Sequence, residues 1–278
     1  CYLGSYLNSF GIIQFTNTGD ILAGLDRFAG ETDPSMIYRV GTGEFTDSLM
    51  MDEITGLAET LIEHCKKYPH IVLEFKTKSK NIDHLLGIKE PGNTVLAWSL
   101  NTPKNIERYE KDTANLEERL EAASRAAGAG YLTAFHFDPV ILYPGWEDDY
   151  KRIINLLGRS IDGGRVPWIS LGGFRYAPAF RESLGERPEC QGLFLEEMFP
   201  GRDGKIRYLK HTRREMYIRM VSMLKGYSDL PYVYLCMEGR DMWMDVFGKD
   251  FRDSDELERD FSDYLKNRFF SMDQGKLL

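Results

Sequence analysis

Side chains capable of chemistry fall just after short apolar runs in this chain. Gly41-Thr42-Gly43-Glu44 follows Met36-Ile37-Tyr38-Arg39-Val40. Its glycines let a backbone approach a ligand closely, and an acid beside them can pair with an ammonium group. The same residues would also serve as a strand–helix turn, with Glu44 favoured near a helix N-terminus. Lys78 follows the next run in Phe75-Lys76-Thr77-Lys78-Ser79-Lys80. One of these lysines is expected to hold a carboxylate and the other two to be solvated. Ser99 and Asn101 share a face in extended backbone and offer a hydroxyl and an amide to a ribose or carboxylate, although Asn101-Thr102-Pro103 is equally good turn chemistry. His136 and Asp138 also share a face, but a His-x-Asp pair without HExxH or Cys-x-x-Cys is a thin basis for a metal or acid–base site. Cys236 ends another apolar run. It reads as a small buried hydrophobe or, if it points into a ligand-bearing lumen, as a hydrogen-atom donor to a carbon radical.

Charge and composition bound the partners. From Arg202 to Arg219, seven basic residues (Arg202, Lys205, Arg207, Lys210, Arg213, Arg214, Arg219) stand against Asp203 and Glu215, with Tyr208 and Tyr217 interleaved. Such a run suits phosphates with aromatic stacking, or is a solvated helix face. The net charge of −8 argues against attraction of nucleic acid to the whole surface, and leaves a local basic face open. Four cysteines, Cys1, Cys65, Cys190 and Cys236, are too dispersed for a disulfide framework and fit a reducing, cytoplasmic setting. No apolar run is long enough to span a membrane. At 278 residues, 42% hydrophobic and 28% charged, the chain can build one sizeable core.

The elements that must position these residues alternate. Strands are expected at Met36–Val40, Ile71–Phe75, Thr94–Ser99, Leu132–Phe137, Pro167–Leu171 and Tyr232–Cys236. Helical spacing runs over Glu53–Lys67, Leu116–Ala127, Trp146–Leu157 and Arg213–Leu224, the second ending at Gly128-Ala129-Gly130. Strands separated by helices pair in parallel, giving a doubly wound sheet or a barrel with ligands at the C-terminal strand ends. The Gly- and Pro-punctuated segment Asp162–Arg207 is expected to hold long loops on one face. The reading divides the chain into a barrel over 1–247 and a charged helical tail over 248–278 packed on it.

Together these residues resemble the spore photoproduct lyase family of the radical S-adenosylmethionine (SAM) superfamily. Cys1-Tyr2-Leu3 matches the end of the family's cluster loop C-x-x-x-C-x-Y-C-Y-L. Thr77-Lys78 leading to Ile82-Asp83-His84-Leu85-Leu86 matches next, then Trp98-Ser99-Leu100-Asn101. The long run Arg119-Leu120-Glu121-Ala122-Ala123-Ser124-Arg125-Ala126-Ala127-Gly128-Ala129-Gly130-Tyr131 follows, then Pro139-Val140 and Gly145-Trp146-Glu147. The resemblance implies a partial (β/α) barrel, an α/β fold with outer helices and a C-terminal helical and loop extension. It implies a [4Fe–4S] cluster held by three cysteines, with SAM on the fourth iron, a cluster reductant and DNA as a partner. Cys1 would be the third cluster ligand, so that the first two lie ahead of it. Gly41, Gly43 and Glu44 would line the SAM amino group, and Thr46 and Lys78 would contact SAM, Lys78 at its carboxylate. Tyr2 would relay hydrogen atoms. One departure stands out: Gly43-Glu44-Phe45 occupies the place where the photoproduct-splitting lyases keep a cysteine hydrogen donor, leaving Cys236 as the substitute. A relative using the same radical on another substrate, or a cluster-free barrel binding a nucleotide or phosphate, would use the same strand ends differently.

Overall fold

The computed structural model describes residues 13–43, 46–184, 187–194, 196–227, 229 and 231–270. Cys1, Tyr2 and Glu44, named above as candidate site residues, lie outside the described residues. Helix α1 (Thr18–Glu31) leads to strand β1 (Tyr38–Gly41), and α2 (Asp52–Thr55) and α3 (Leu57–Cys65) lead to β2 (Ile71–Thr77). Next come β3 (Thr94–Ser99), α4 (Pro103–Tyr109), α5 (Leu116–Gly128), β4 (Leu132–Val140), α6 (Trp146–Ser160) and β5 (Trp168–Gly173). After β6 (Arg175–Tyr176), α7 (Pro178–Leu184), β7 (Met198–Pro200) and β8 (Ile206–Tyr208), the chain closes with α8 (Lys210–Leu224), β9 (Tyr232–Leu235), α9 (Arg240–Phe247) and α10 (Ser254–Arg268).

Six strands form one sheet in the order β1-β2-β3-β4-β5-β9, every neighbouring pair parallel. The sheet curls into a half barrel, the α/β architecture that the resemblance implied. All six strands lie where apolar runs predict them. The segment expected as loops instead carries a three-stranded antiparallel sheet, β6-β8-β7, with its own core of Phe174, Tyr176, Phe180, Leu193 and Tyr208. Strands of two or three residues are too short to display a period.

Local signals explain the helices. Asn115 and Glu118 close a reciprocal capping box at the start of α5, each side chain accepting the other's backbone N–H at 2.9 Å. Leu116, Leu120, Ala123 and Ala126 then bury one face, and the chain leaves through Gly130 at φ 98°. The single helix expected over Glu53–Lys67 is two. Gly56 turns left-handed at φ 60°, and the buried Asp52 carboxylate accepts the Ala58 N–H at 2.9 Å, capping the second helix from the end of the first.

Alternation along the strands separates two faces. Leu73, Phe75, Leu96, Trp98, Phe135, Phe137, Ile169 and Leu171 point outward and pack with Leu61, Leu120, Ile153, Leu157, Met216 and Met220 of the helices. On the concave side, Val72, Val95, Ala97, Ala134, Trp168 and Tyr232 pack with Phe261 and Leu265 of α10. Helix α10 therefore covers the N-terminal half of the concavity, with Ser262 Oγ accepting the Ile37 N–H at 2.8 Å. Farther along the same faces the residues turn polar.

Candidate active site

Glu74 is the first polar residue above that apolar floor. Its Oε1 accepts hydrogen bonds from His136 Nε2 at 2.7 Å and Trp168 Nε1 at 3.0 Å, and Arg39 Nε stands 3.8 Å from Oε2. Arg39 also donates to the Tyr234 hydroxyl at 2.8 Å, and its guanidinium lies over the Trp168, Tyr234 and Phe261 rings. Burial opposes ionisation of Glu74, but the His136 contact and the Arg39 charge outweigh it and hold the carboxyl down to about 2. Burial also keeps the His136 ring below its ordinary value, so it is neutral near pH 7 and donates through Nε2–H. The His-x-Asp pair is thereby divided: His136 belongs to Glu74, and Asp138 belongs to another partner. Among the described residues, no group of three or more His, Cys, Asp and Glu could hold a metal.

Asp138 meets Arg175 in a two-pronged pair, Oδ1 to Nη1 at 2.9 Å and Oδ2 to Nη2 at 3.1 Å. Gly172 makes this possible, since a Cβ there would lie 2.3 Å from Asp138 Oδ1 and 2.9 Å from Arg175 Nη1. Arg175 Nη2 also donates to Cys236 Sγ at 3.3 Å. Burial raises the Asp138 pKa, and Arg175 more than compensates, leaving it at about 2. The Cys236 thiol is pushed up to about 12 by burial and then by the Asp138 charge. Cys236 is therefore S–H at neutral pH, a state suited to giving up a hydrogen atom and poorly suited to nucleophilic attack.

The glycine loop is strapped to the end of β2. Asp47 Oδ1 accepts the Thr77 hydroxyl at 2.6 Å and the Leu49 and Met50 amides at 3.0 and 2.9 Å, while Oδ2 accepts the Lys78 amide at 2.7 Å. Ser48 Oγ accepts hydrogen bonds from the Thr42 hydroxyl at 2.8 Å and the Lys76 amide at 3.2 Å. Gly43 sits inside this strap: a Cβ there would lie 2.5 Å from Ser48 Oγ and 3.1 Å from the Thr46 carbonyl. Gly41, the last residue of β1, has ordinary room, its Cβ position 3.8 Å from Glu74 Oε2. Thr46 is exposed on the loop.

The remaining expected residues differ in how far they are committed. Lys78 Nζ pairs with Glu110 Oε1 at 3.0 Å, and Arg119 Nη2 holds Glu110 Oε2 at 2.7 Å. Ser99 is buried beside His136 on the concave face. Asn101 Oδ1 accepts from the Tyr150 hydroxyl, Asn105 Nδ2 and the Thr102 amide at 2.8, 2.9 and 2.9 Å. Its amide nitrogen donates to Pro139 O at 3.3 Å, so both ends of Asn101 are used in holding α4, α6 and β4 together. In the basic segment, Arg207 pairs with Asp203, Lys210 with Asp241, Arg213 with Glu238, Arg214 with Asp245 and Arg219 with Glu147. Arg202 and Lys205 have no carboxylate partner among the described residues.

Sequence reading missed Glu74, Arg175 and Arg39. Glu74 carried a signal, an acid inside the apolar run Ile71-Val72-Leu73-Glu74-Phe75. Arg175 carried none, because only the turn after β5 brings it to Asp138.

A family model described as spore photoproduct lyase matches residues 1–171. The chain is similar to the spore photoproduct lyase of Geobacillus sp. (strain Y412MC61), with 32% identity over 164 residues, 59% of this chain and 48% of the relative. It is also similar to that of Bacillus subtilis (strain 168), with 31% identity over 162 residues, 58% of this chain and 47% of the relative. The chain spans about half the length of the curated relatives it matches. Among solved structures, it resembles a doubly substituted spore photoproduct lyase with bound AdoMet and dinucleoside spore photoproduct, at TM-score 0.76 and 26% identity, covering 85% of this chain and 72% of that one. A cysteine-to-alanine variant with the dinucleoside spore photoproduct gives TM-score 0.77 and 27% identity over the same shares, 85% and 72%. No helix among the described residues is long and apolar enough to cross a membrane.

Proposed function

The chain belongs to the spore photoproduct lyase family, and on that premise we propose that it is a radical SAM lyase acting on a pyrimidine photoproduct in UV-damaged DNA. The observation that carries the cofactor reading is Gly43. Its Cβ position is taken by Ser48 Oγ and the Thr46 carbonyl, so the loop packs tightly against the end of β2, beside the Lys78 backbone. That loop, with the nearby Lys78 ammonium and the Ser99 hydroxyl, is a donor set suited to an amino acid and a ribose. Gly41, Gly43 and Glu44 would hold the SAM amino group, Lys78 its carboxylate, and Thr46 and Ser99 its remaining polar atoms. Cys1 would ligate the [4Fe–4S] cluster. When bound, the cluster and SAM together supply a 5′-deoxyadenosyl radical for hydrogen abstraction.

The chain's own residues then act as follows. Asn101 positions, through Tyr150 and Asn105, the turn that follows Ser99. Burial and the Asp138 charge keep the Cys236 thiol protonated, and Arg175, paired with Asp138, fixes it by donating to its sulfur. In our reading its S–H bond breaks, the hydrogen atom passes to a substrate carbon radical, and a new C–H bond forms. The sulfur radical left behind would take a hydrogen atom from the phenol of Tyr2. The Tyr2 phenoxyl radical would recover one from the 5′-deoxyadenosine formed at the start, so that the hydrogen first abstracted returns and no redox equivalent is consumed. DNA would approach past Arg202 and Lys205, the two cations of the basic segment without carboxylate partners among the described residues. A one-electron reductant and a reducing, cytoplasmic setting complete the proposal. The packing of Phe261 and Leu265 supports treating 248–278 as an extension of the barrel over 1–247.

A second reading, the same radical acting on another substrate, is favoured by Glu44 standing where the lyases keep a cysteine. Incubation with SAM, a reductant and an oligonucleotide carrying the spore photoproduct separates the two. Restored thymines support repair. Release of 5′-deoxyadenosine without repair supports the second reading, and neither product contradicts both.

A further inference from the structure

We propose that Lys76 is an oxyanion-binding residue at the mouth of the half barrel, taking a phosphate or carboxylate oxygen of the bound ligand. Residues two apart in a strand share a face, so Lys76 stands on the concave side one step beyond Glu74, whose carboxylate reaches His136 and Trp168 there. Its backbone is fixed to the glycine loop: the Lys76 amide donates to Ser48 Oγ at 3.2 Å, and its carbonyl accepts the Ser48 amide at 3.0 Å. The cation is thus held beside the residues that form the cradle.

Charge pairing singles it out. On the concave face Glu74 is matched by Arg39 and Asp138 by Arg175, and burial leaves His136 neutral. In the lysine-rich run, Lys78 is paired with Glu110 and Lys80 with Glu118. Among the described residues, no carboxylate lies within 4.0 Å of Lys76 Nζ, so its charge is unmatched among them. The side chain is half-buried, and its field reaches Glu74 and Asp138. A partly desolvated cation whose neighbouring carboxylates already have partners favours an incoming anion over water. Two ligands bring such oxygens to a strand-end site: a nucleotide with its phosphate and an amino acid with its carboxylate.

The site is tested without any radical chemistry by using inorganic pyrophosphate as the probe and thermal unfolding of the full chain as the readout. Wild type, Lys76→Arg and the surface control Lys80→Met are expected to be stabilised alike, while Lys76→Met binds the probe about tenfold more weakly. Without probe, Lys76→Met is expected to unfold close to the wild-type temperature, because only the longer-range attraction to Glu74 and Asp138 is lost. An equal response in Lys76→Met, no response in the wild type, or a marked drop in its unfolding temperature overturns the proposal. Titrations then identify the source. Weaker binding of the dinucleotide spore photoproduct alone, with the phosphate-free dinucleoside unaffected, assigns the phosphate; weaker binding confined to SAM assigns the carboxylate. If wild type binds pyrophosphate but neither SAM nor photoproduct, the lyase reading falls while the oxyanion site stands.

Discussion

Gly43 and Gly172 each make room that a Cβ would take, one in the glycine loop proposed to hold SAM and one beneath Asp138. In Gly43→Ala the new methyl must displace Ser48, which also holds Thr42 and both backbone polar groups of Lys76. SAM affinity is expected to fall by about tenfold or more while the circular dichroism spectrum is retained. Unchanged affinity would remove Gly43 from the cradle. Cys236→Ala is expected to alter the product distribution without changing the rate of SAM cleavage, because in the proposed reaction the thiol would act after the cofactor step. A wild-type product profile would return Cys236 to a packing role. These two residues were legible in the sequence for different reasons. Gly43 announced itself by a small-residue pattern after a strand, Cys236 only by its place at a strand end. Gly172 was not legible, because its purpose is the Asp138–Arg175 pair that the fold assembles. Lys78 and Lys76 lie in one run, and only the positions of Glu110 and Glu118 show that Lys78 and Lys80 each have a carboxylate neighbour.

Helix α10 turns an open concavity into a site with a floor. Phe261 packs edge-on against Trp168 and Tyr232, with ring centroids 5.5 and 5.1 Å apart, and lies beneath the Arg39 guanidinium. Phe261→Ala is expected to cost about 3–5 kcal/mol in urea unfolding, since the cavity would open under a buried charge network. A loss below about 1 kcal/mol would show that α10 is not part of the core. All six parallel strands could be read from apolar runs because both faces of this sheet are covered. The break at Gly56 could not, because the apolar spacing runs through it and the cap comes from Asp52 outside the second helix. The β6-β8-β7 lobe escaped for want of length, although its aromatic residues were in plain sight.

Across the whole molecule, the buried charges make stability depend on acidity in a definite direction. Glu74 and Asp138 are held at about 2 in the folded chain, against ordinary values of 4.5 and 3.8. Their contribution is complete above those ordinary values and is lost as pH falls toward 2. His136 is kept neutral by burial, so below its ordinary 6.5 the unfolded chain takes up a proton that the folded ring resists. Urea midpoints should therefore decline from about pH 6.5 downward and more steeply below about 4.5. Glu74→Gln should lower stability by about 3 kcal/mol at pH 7 and flatten the acid limb, since the ionised partner of Arg39 is gone. A pH profile unchanged by Glu74→Gln would contradict the pairing. The same charged floor lies beside the proposed cradle, and the family match over residues 1–171 and the likeness to solved spore photoproduct lyases support reading both as parts of a radical SAM framework. That framework is the central claim. It is tested most directly by anaerobic reconstitution, with iron and sulfide, of the protein carrying a complete three-cysteine cluster loop, addition of SAM and a reductant, and quantitation of 5′-deoxyadenosine. The account predicts a brown, iron-containing protein that releases 5′-deoxyadenosine; a colourless, iron-free protein that leaves SAM intact would contradict it.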